Sequence, residues 1–199
     1  MFYILAILIS MTLIAVVNIL VNSLYFNFEI WYIIVAVIVN TVAVIAVDGL
    51  FATIIRHMLP NKWFEKRNLL KVSKKECFFY EKIGIKRWKE KVIELGIFAN
   101  FRKNKIAEPT NNEYIARYIL EINYGVFVHI ACVIFGFVIV FFYPLQYFLC
   151  FGIPVAVVNA ILNALPIFVL RYNLPKLVRL YELNERRKAI QEQNKSEAV

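Results

Sequence analysis

Two long stretches of this chain lack basic residues. None of the 23 Lys and Arg falls in residues 1–55 or 118–170; all lie between Arg56 and Arg117 or between Arg171 and Lys195. The formal charge of +9 is therefore a property of two segments and not of the whole surface. Charge is also scarce overall, at 19% of residues against 61% hydrophobic, where a soluble domain has about 25% charged. This excludes an ordinary soluble domain. Glycine and proline number six each, too few for an extended linker, and no Gly-rich loop is present to cradle a phosphate. The three cysteines, Cys77, Cys132 and Cys150, have neither metal-like nor redox-like spacing. Cys132 and Cys150 sit in apolar runs, where a thiol packs as a small hydrophobe, and all three are expected to be reduced. A Cys77 nucleophile would need a histidine to activate it, and none is close in sequence. With only His57 and His129 in the chain, no Cys/His cluster can complete a metal site. No internal repeat occurs, which argues against a transporter.

The apolar runs predict an all-α integral membrane protein with four spanning helices. A span needs roughly 20 apolar residues, and residues 2–22, 30–55, 121–143 and 147–170 supply them. The first run has no basic n-region or small-residue cleavage site, so it reads as a retained helix. Residues 56–117 form a basic segment, partly helical and rich in aromatics, between the second and third helices; residues 171–199 form a basic-to-polar tail. Cytoplasmic loops carry the Lys/Arg excess, so this segment and the tail are expected inside, as are both termini. The breaks at residues 23–29 and 143–146 are expected outside. A high pI first suggests nucleic acid. These basic blocks flank apolar runs, however, so membrane lipid headgroups are the expected partners and nucleic acid is not. Small residues at helical spacing are too few to define a dimer face.

Within the basic segment, Ile85, Trp88, Val92 and Leu95 recur at helical spacing with charged residues between them. That pattern suits an amphipathic helix lying on the membrane or one packed against the protein itself. Thr110 and Glu113 have capping-box spacing, which predicts a helix starting near Asn111 and running into the third span. Three polar residues fall inside spans: Asp48, eight residues before Arg56; His129, eight after Glu121; and Asn163, eight before Arg171. Each is about 12 Å from its flanking charge, so the three are expected at one depth, with Asn159 one turn from Asn163. Ionisable groups in hydrocarbon face a bundle interior or a wet cavity. A His near an Asp suits general-base work; a polar pair that only joins helices is the other reading.

The segments Leu59-Pro60-Asn61-Lys62-Trp63-Phe64, Gly84 to Lys91, Asn163-Ala164-Leu165-Pro166 and Arg171-Tyr172-Asn173-Leu174-Pro175-Lys176-Leu177 together resemble the glycosyl-4,4'-diaponeurosporenoate acyltransferases. These are bacterial membrane proteins acting late in staphyloxanthin-type carotenoid biosynthesis. The resemblance covers about residues 59–180 and leaves Asp48 outside. It implies transfer of a fatty acyl group to a hydroxyl of a lipid-linked or glycosylated isoprenoid acceptor in the cell membrane. Acyl-CoA or a similar donor serves as co-substrate, and no cofactor is bound. Glu121 and His129 match a Glu and His of the family's third helix. His129 is then the base, with Glu121 or Asp48 orienting it. Arg171, Asn173, Asn163, Trp88, Lys86 and Arg87 are the expected substrate-binding residues, with Arg171 and Asn173 at the donor headgroup or the oxyanion.

The chain departs from the family in two places. Ile122, Asn123, Tyr124, Gly125 and Val126 stand where the family has a Thr, a basic pair, Ala and a second Glu. Leu170, Leu174 and Lys176 replace a Gln and two Arg in the last motif, and losing an Arg removes a fork suited to phosphate or carboxylate. Two other classes therefore stay open: a non-catalytic membrane scaffold of a lipid pathway, and a membrane methyltransferase of the four-helix type, which also carries Arg and Glu near its last helix, as Arg171 and Glu182 do here. Thermal stabilisation by acyl-CoA, by S-adenosylmethionine or by neither separates the three.

Overall fold

A computed structural model of the chain describes residues 2–25, 27–66, 69–92, 106–138 and 148–197. Six α-helices are formed among them: α1 (Phe2–Tyr25), α2 (Ile30–Met58), α3 (Lys74–Lys82), the single turn α4 (Ile85–Trp88), α5 (Asn112–Val138) and α6 (Ile153–Glu197). Helices α1, α2, α5 and α6 are long and apolar enough to cross a membrane. The 24 residues of α1 extend about 36 Å at 1.5 Å per residue, against a hydrocarbon core of about 30 Å. The 45 residues of α6 extend about 68 Å, so its charged C-terminal part lies beyond any hydrocarbon layer.

The chain divides into two compact units. The first comprises Met1–Met58 and Phe127–Pro166; the second comprises Leu59–Val126 and Ile167–Val199. In the first, Ile14, Ile33, Val37, Val44, Phe151 and Val155 form a buried core. Much of α1 instead turns leucine outward: Leu5, Leu8, Leu13 and Leu20 are all more than half exposed, as suits a helix bathed in lipid. Asparagines tie its C-terminal part. Asn22 pairs with Phe28 in both directions, its amide nitrogen donating to the Phe28 carbonyl and its oxygen accepting from the Phe28 N–H, each at 2.7 Å. This closes the α1–α2 turn, where Asn27 takes a left-handed φ of 54°. Asn18 donates to the carbonyl of Cys150 at 2.9 Å, within a π-helical turn at Phe148–Gly152. The break expected at residues 143–146 lies outside the described residues.

The second unit is built on Ile115, Tyr118, Ile119, Ile122, Val126, Leu174 and Leu177. Ser73 caps α3 by accepting from the Glu76 N–H, and Gly84 ends it with a left-handed φ of 66°, which a glycine adopts without steric penalty. The amphipathic helix expected from Ile85 onward is not formed. After the one turn of α4 a 3-10 turn covers Lys89–Lys91, and Val92 is extended. Ile85 and Val92 are buried, so this segment packs against the protein itself; Leu95 lies outside the described residues. Helix α5 begins where expected, but Asn111 and not Thr110 caps it: its side-chain oxygen accepts from the N–H groups of Glu113 and Tyr114 at 3.0 and 3.2 Å. Asn173 lies within helix α6. Helix α6 continues through Pro166 and Pro175, forgoing the backbone hydrogen bond each proline cannot donate. Replacing Asn111 by Ala should lower stability in detergent by about 1 kcal/mol, read by chemical denaturation followed by circular dichroism, whereas Thr110→Ala should change nothing measurable.

Candidate functional site

The first unit holds a chain of polar side chains inside its spanning helices. Asp48 comes from α2, His129 from α5, and Asn159 and Asn163, one turn apart, from α6. The Asn163 amide nitrogen donates to Asp48 Oδ2 at 3.0 Å, and its oxygen lies 2.8 Å from His129 Nδ1. A carboxylate oxygen only accepts, so the amide nitrogen faces Asp48 and the amide oxygen is left for the ring. Nδ1 is therefore the protonated nitrogen, and the neutral imidazole keeps its lone pair on Nε2. Asn159 donates to Asp48 Oδ1 at 3.3 Å and to the Cys132 carbonyl at 3.3 Å. Its own side-chain oxygen accepts from Asn163 at 3.0 Å. The order along the network is His129, Asn163, Asp48, Asn159.

The polar layer expected from spacing thus assembles, with one difference in wiring. Asp48 was expected to orient the imidazole directly; Asn163 stands between them. Glu121 stands two turns earlier on α5, about 12 Å along the axis, and is not the group on Nδ1. A His held by an amide oxygen is a known triad variant. Gly136 makes the packing possible: a Cβ there would come within 2.7 Å of the Asn159 amide nitrogen. That role has no signature in a sequence, since it depends on which helix comes alongside. Among the described residues, no three His, Cys, Asp or Glu side chains converge as a metal would require.

The second unit holds a separate charged constellation. Arg171 pairs bidentately with Glu76, Nε to Oε1 at 2.5 Å and Nη2 to Oε2 at 2.8 Å. Tyr80, one turn along α3 from Glu76, donates its hydroxyl to the same carboxylate. Hydrogen bonds from Arg171 hold the Glu76 carboxyl below its ordinary range; burial opposes this, and the Tyr80 hydroxyl assists. Burial, then the hydrogen bond to Glu76, pushes the Tyr80 phenol up. Arg171 was expected at a donor headgroup, yet its guanidinium is engaged within the unit. Neither Glu76 nor Tyr80 was anticipated, although Ser73-x-x-Glu76 has capping-box spacing. Of the other expected substrate-binding residues, Trp88 donates its indole N–H to the Ile83 carbonyl at 3.1 Å, and Lys86 lies 3.5 Å from Glu81 on the surface. Arg87 is exposed, and Asn173 is half-buried in α6.

The residues standing in place of the family's charged stretch have internal work. Asn123 is fully buried and donates to the Phe64 carbonyl at 2.7 Å. Tyr124 donates to Asn61 at 2.6 Å and stacks on Phe64. Leu170 packs against Gly125, where a Cβ would come within 2.8 Å of it.

Compared with known families, residues 60–183 match the model for glycosyl-4,4'-diaponeurosporenoate acyltransferase. No curated protein and no solved structure matches the chain. The matched region takes in Glu76, His129, Asn159, Asn163 and Arg171 and leaves out Asp48.

The Glu76 carboxyl lies below its unfolded value of roughly 4.3, so its contribution to stability is complete above that value and lost as pH falls through the lowered one. Acid titration of unfolding free energy should show this loss in the wild-type protein. Glu76→Gln should lack that limb and be less stable at neutral pH by about 2 kcal/mol, the scale of a hydrogen bond to a charged group.

Proposed function

The chain belongs to the glycosyl-4,4'-diaponeurosporenoate acyltransferase family, and we propose that it moves a fatty acyl group onto a hydroxyl of a lipid-linked or glycosylated isoprenoid acceptor, with His129 as general base. The observation that carries this reading is the linkage of His129 through Asn163 to Asp48. It holds the ring in one orientation and one tautomer inside the spanning helices, with Nε2 as the basic nitrogen.

Nε2 takes the proton of the acceptor hydroxyl as its oxygen attacks the carbonyl carbon of an acyl thioester. The tetrahedral intermediate collapses, the carbon–sulfur bond breaks, and the departing thiolate takes the proton back from the imidazolium. The positive ring formed between these steps is stabilised by Asp48, one amide away. The basic segment 56–117 and the tail 171–199 lie on the cytoplasmic side of the cell membrane, with both termini inside. Acyl-CoA, soluble and anionic, approaches from that side, drawn by the field of those segments, in which Lys86 and Arg87 are exposed. Arg171 and Asn173 lie where α6 leaves its apolar stretch. Arg171 is held by Glu76, which offsets its charge, so it fixes helix α3 against α6, and the exposed Lys86 and Arg87 are left to attract the donor's phosphates.

One observation favours a second reading, a non-catalytic scaffold: the family's basic pair and second carboxylate are replaced here by buried packing residues, Asn123 to Val126. Mass spectrometry of lipids from cells with and without the gene separates the two. An acyl-sized mass difference that disappears with His129→Gln, in a protein that still folds, is expected. The general base contributes about 10²–10⁴ in rate, so the variant should fall within that range, and Asn163→Leu should fall with it. Full activity in both variants would sink the assignment of the base, and no lipid change in any strain would leave the scaffold.

A further inference from the structure

Within the second unit, helix α3 is held at one level along α6. Glu76 takes the Arg171 fork. Phe79 meets Phe168 edge to face, with 6.1 Å between ring centroids. The Tyr80 ring lies 5.7 Å from Phe168 and 6.4 Å from Tyr172. These contacts run from Phe168 to Tyr172, about 6 Å of helix axis. Phe168 belongs to the last turn of an uncharged stretch that ends at Leu170, and Arg171 is the first charge after it. A helix held at that level sits where hydrocarbon gives way to headgroups.

Glu76 and Tyr80 occupy the inner face of α3. Lys75, Phe78, Phe79 and Lys82 recur at i, i+3, i+4 and i+7, so they share another side of the helix. Phe78 is 68% exposed and Phe79 47%. Both lysines are exposed, as are Lys71 and Lys74 just before them. Neighbouring phenyl rings left in water forgo the free energy of burying their area, and such a patch marks a contact surface. A lysine on either side of a phenyl pair suits a lipid surface: the stems follow the rings while the ammonium groups reach the phosphates. Charge narrows the lipid. Glu81, the acid nearest this side, lies 3.5 Å from Lys86, and the lysines leave the face positive. The segment from Ile85 to Val92, where the sequence suggested a helix on the membrane, buries both of those residues instead.

We propose that the Phe78–Phe79 face of α3 lies in the headgroup layer and binds anionic phospholipid, its rings toward the acyl chains and Lys75 and Lys82 on the phosphates. The Arg171–Glu76 fork then joins a spanning helix to an interfacial one. This holds independently of the reaction the protein carries out.

The test uses the full-length protein in nanodiscs of phosphatidylcholine, with or without one-third phosphatidylglycerol. Amide hydrogen exchange across residues 75–82 of the wild-type protein should be slower when phosphatidylglycerol is present. Lys75→Gln and Lys82→Gln should each give back about fivefold of that protection, the scale of one lysine at an anionic surface. Depth is read separately. The tryptophan introduced by Phe78→Trp, taken as the difference from wild-type emission, should be shifted to the blue and quenched by phosphatidylcholine brominated on its acyl chains near the headgroup. Emission typical of water, with no quenching, would overturn the proposal. So would blue-shifted emission that bromine does not quench, since protein and not lipid would then cover the face. Exchange rates that ignore phosphatidylglycerol in the wild-type protein would overturn the anionic-lipid assignment without recourse to any variant.

Discussion

A carboxylate placed inside a membrane-spanning bundle has to be met by hydrogen-bond donors, because lipid offers none. At Asp48 two asparagine amides meet it, one on each oxygen. That requirement accounts for much of the first unit. It brings the face of α6 that bears Asn159 and Asn163 against α2. It also draws in α5, whose Gly136 leaves room for Asn159 and whose His129 takes up the amide oxygen left over. Remove the carboxylate and both asparagines lose the acceptor that orients them. The core residues around Val37 and Val44 bury apolar surface without directional bonds; the polar network adds directional ones.

The second unit solves a milder version of the same problem near the end of the apolar stretch. Arg171 and Glu76 are each roughly four-fifths buried, and a charge removed from water to that extent needs a partner of matching geometry. The bidentate fork supplies it, and Tyr80 satisfies more of the carboxylate. Helix α3, short and otherwise charged, is anchored there by one capping serine and one ion pair. The segment after it follows from the glycine at 84, which ends the helix, and from the burial of Ile85 and Val92, which draws the chain inward and leaves Lys86 and Arg87 outside.

Much of this was legible in the sequence. The four spanning helices were visible because runs of apolar residues without Lys or Arg have few other uses. The depth of Asp48, His129 and Asn163 followed from counting residues to the flanking charges, since helical rise is fixed. What could not be read was rotation and partnership. Spacing places Asp48 and His129 at one level; it cannot say that Asn163 comes between them, because that depends on how three helices turn about their axes. Glu76 stayed hidden for a similar reason: its partner is 95 residues away, and its own capping-box signature speaks only of the helix it begins. The helix expected from Ile85 gives way to a 3-10 turn at Lys89, because periodicity reports which residues want to be buried and not whether the backbone stays α-helical to bury them. Asn111 and Thr110 are both good caps, and the choice between them turned on local geometry of one residue.

One consequence lies in the chemistry of the Asn163 side chain. An amide passes on orientation but not protons. It neither gains nor loses one at any ordinary pH, so Asn163 acts as an insulator between the imidazole and the carboxylate. Whatever proton His129 accepts is stranded on the ring. It cannot drain to Asp48; in the proposed reaction the ring would hand it to the leaving group or return it to the hydroxyl. A direct His–Asp contact would have offered the proton a second resting place; the interposed amide makes the histidine a terminus.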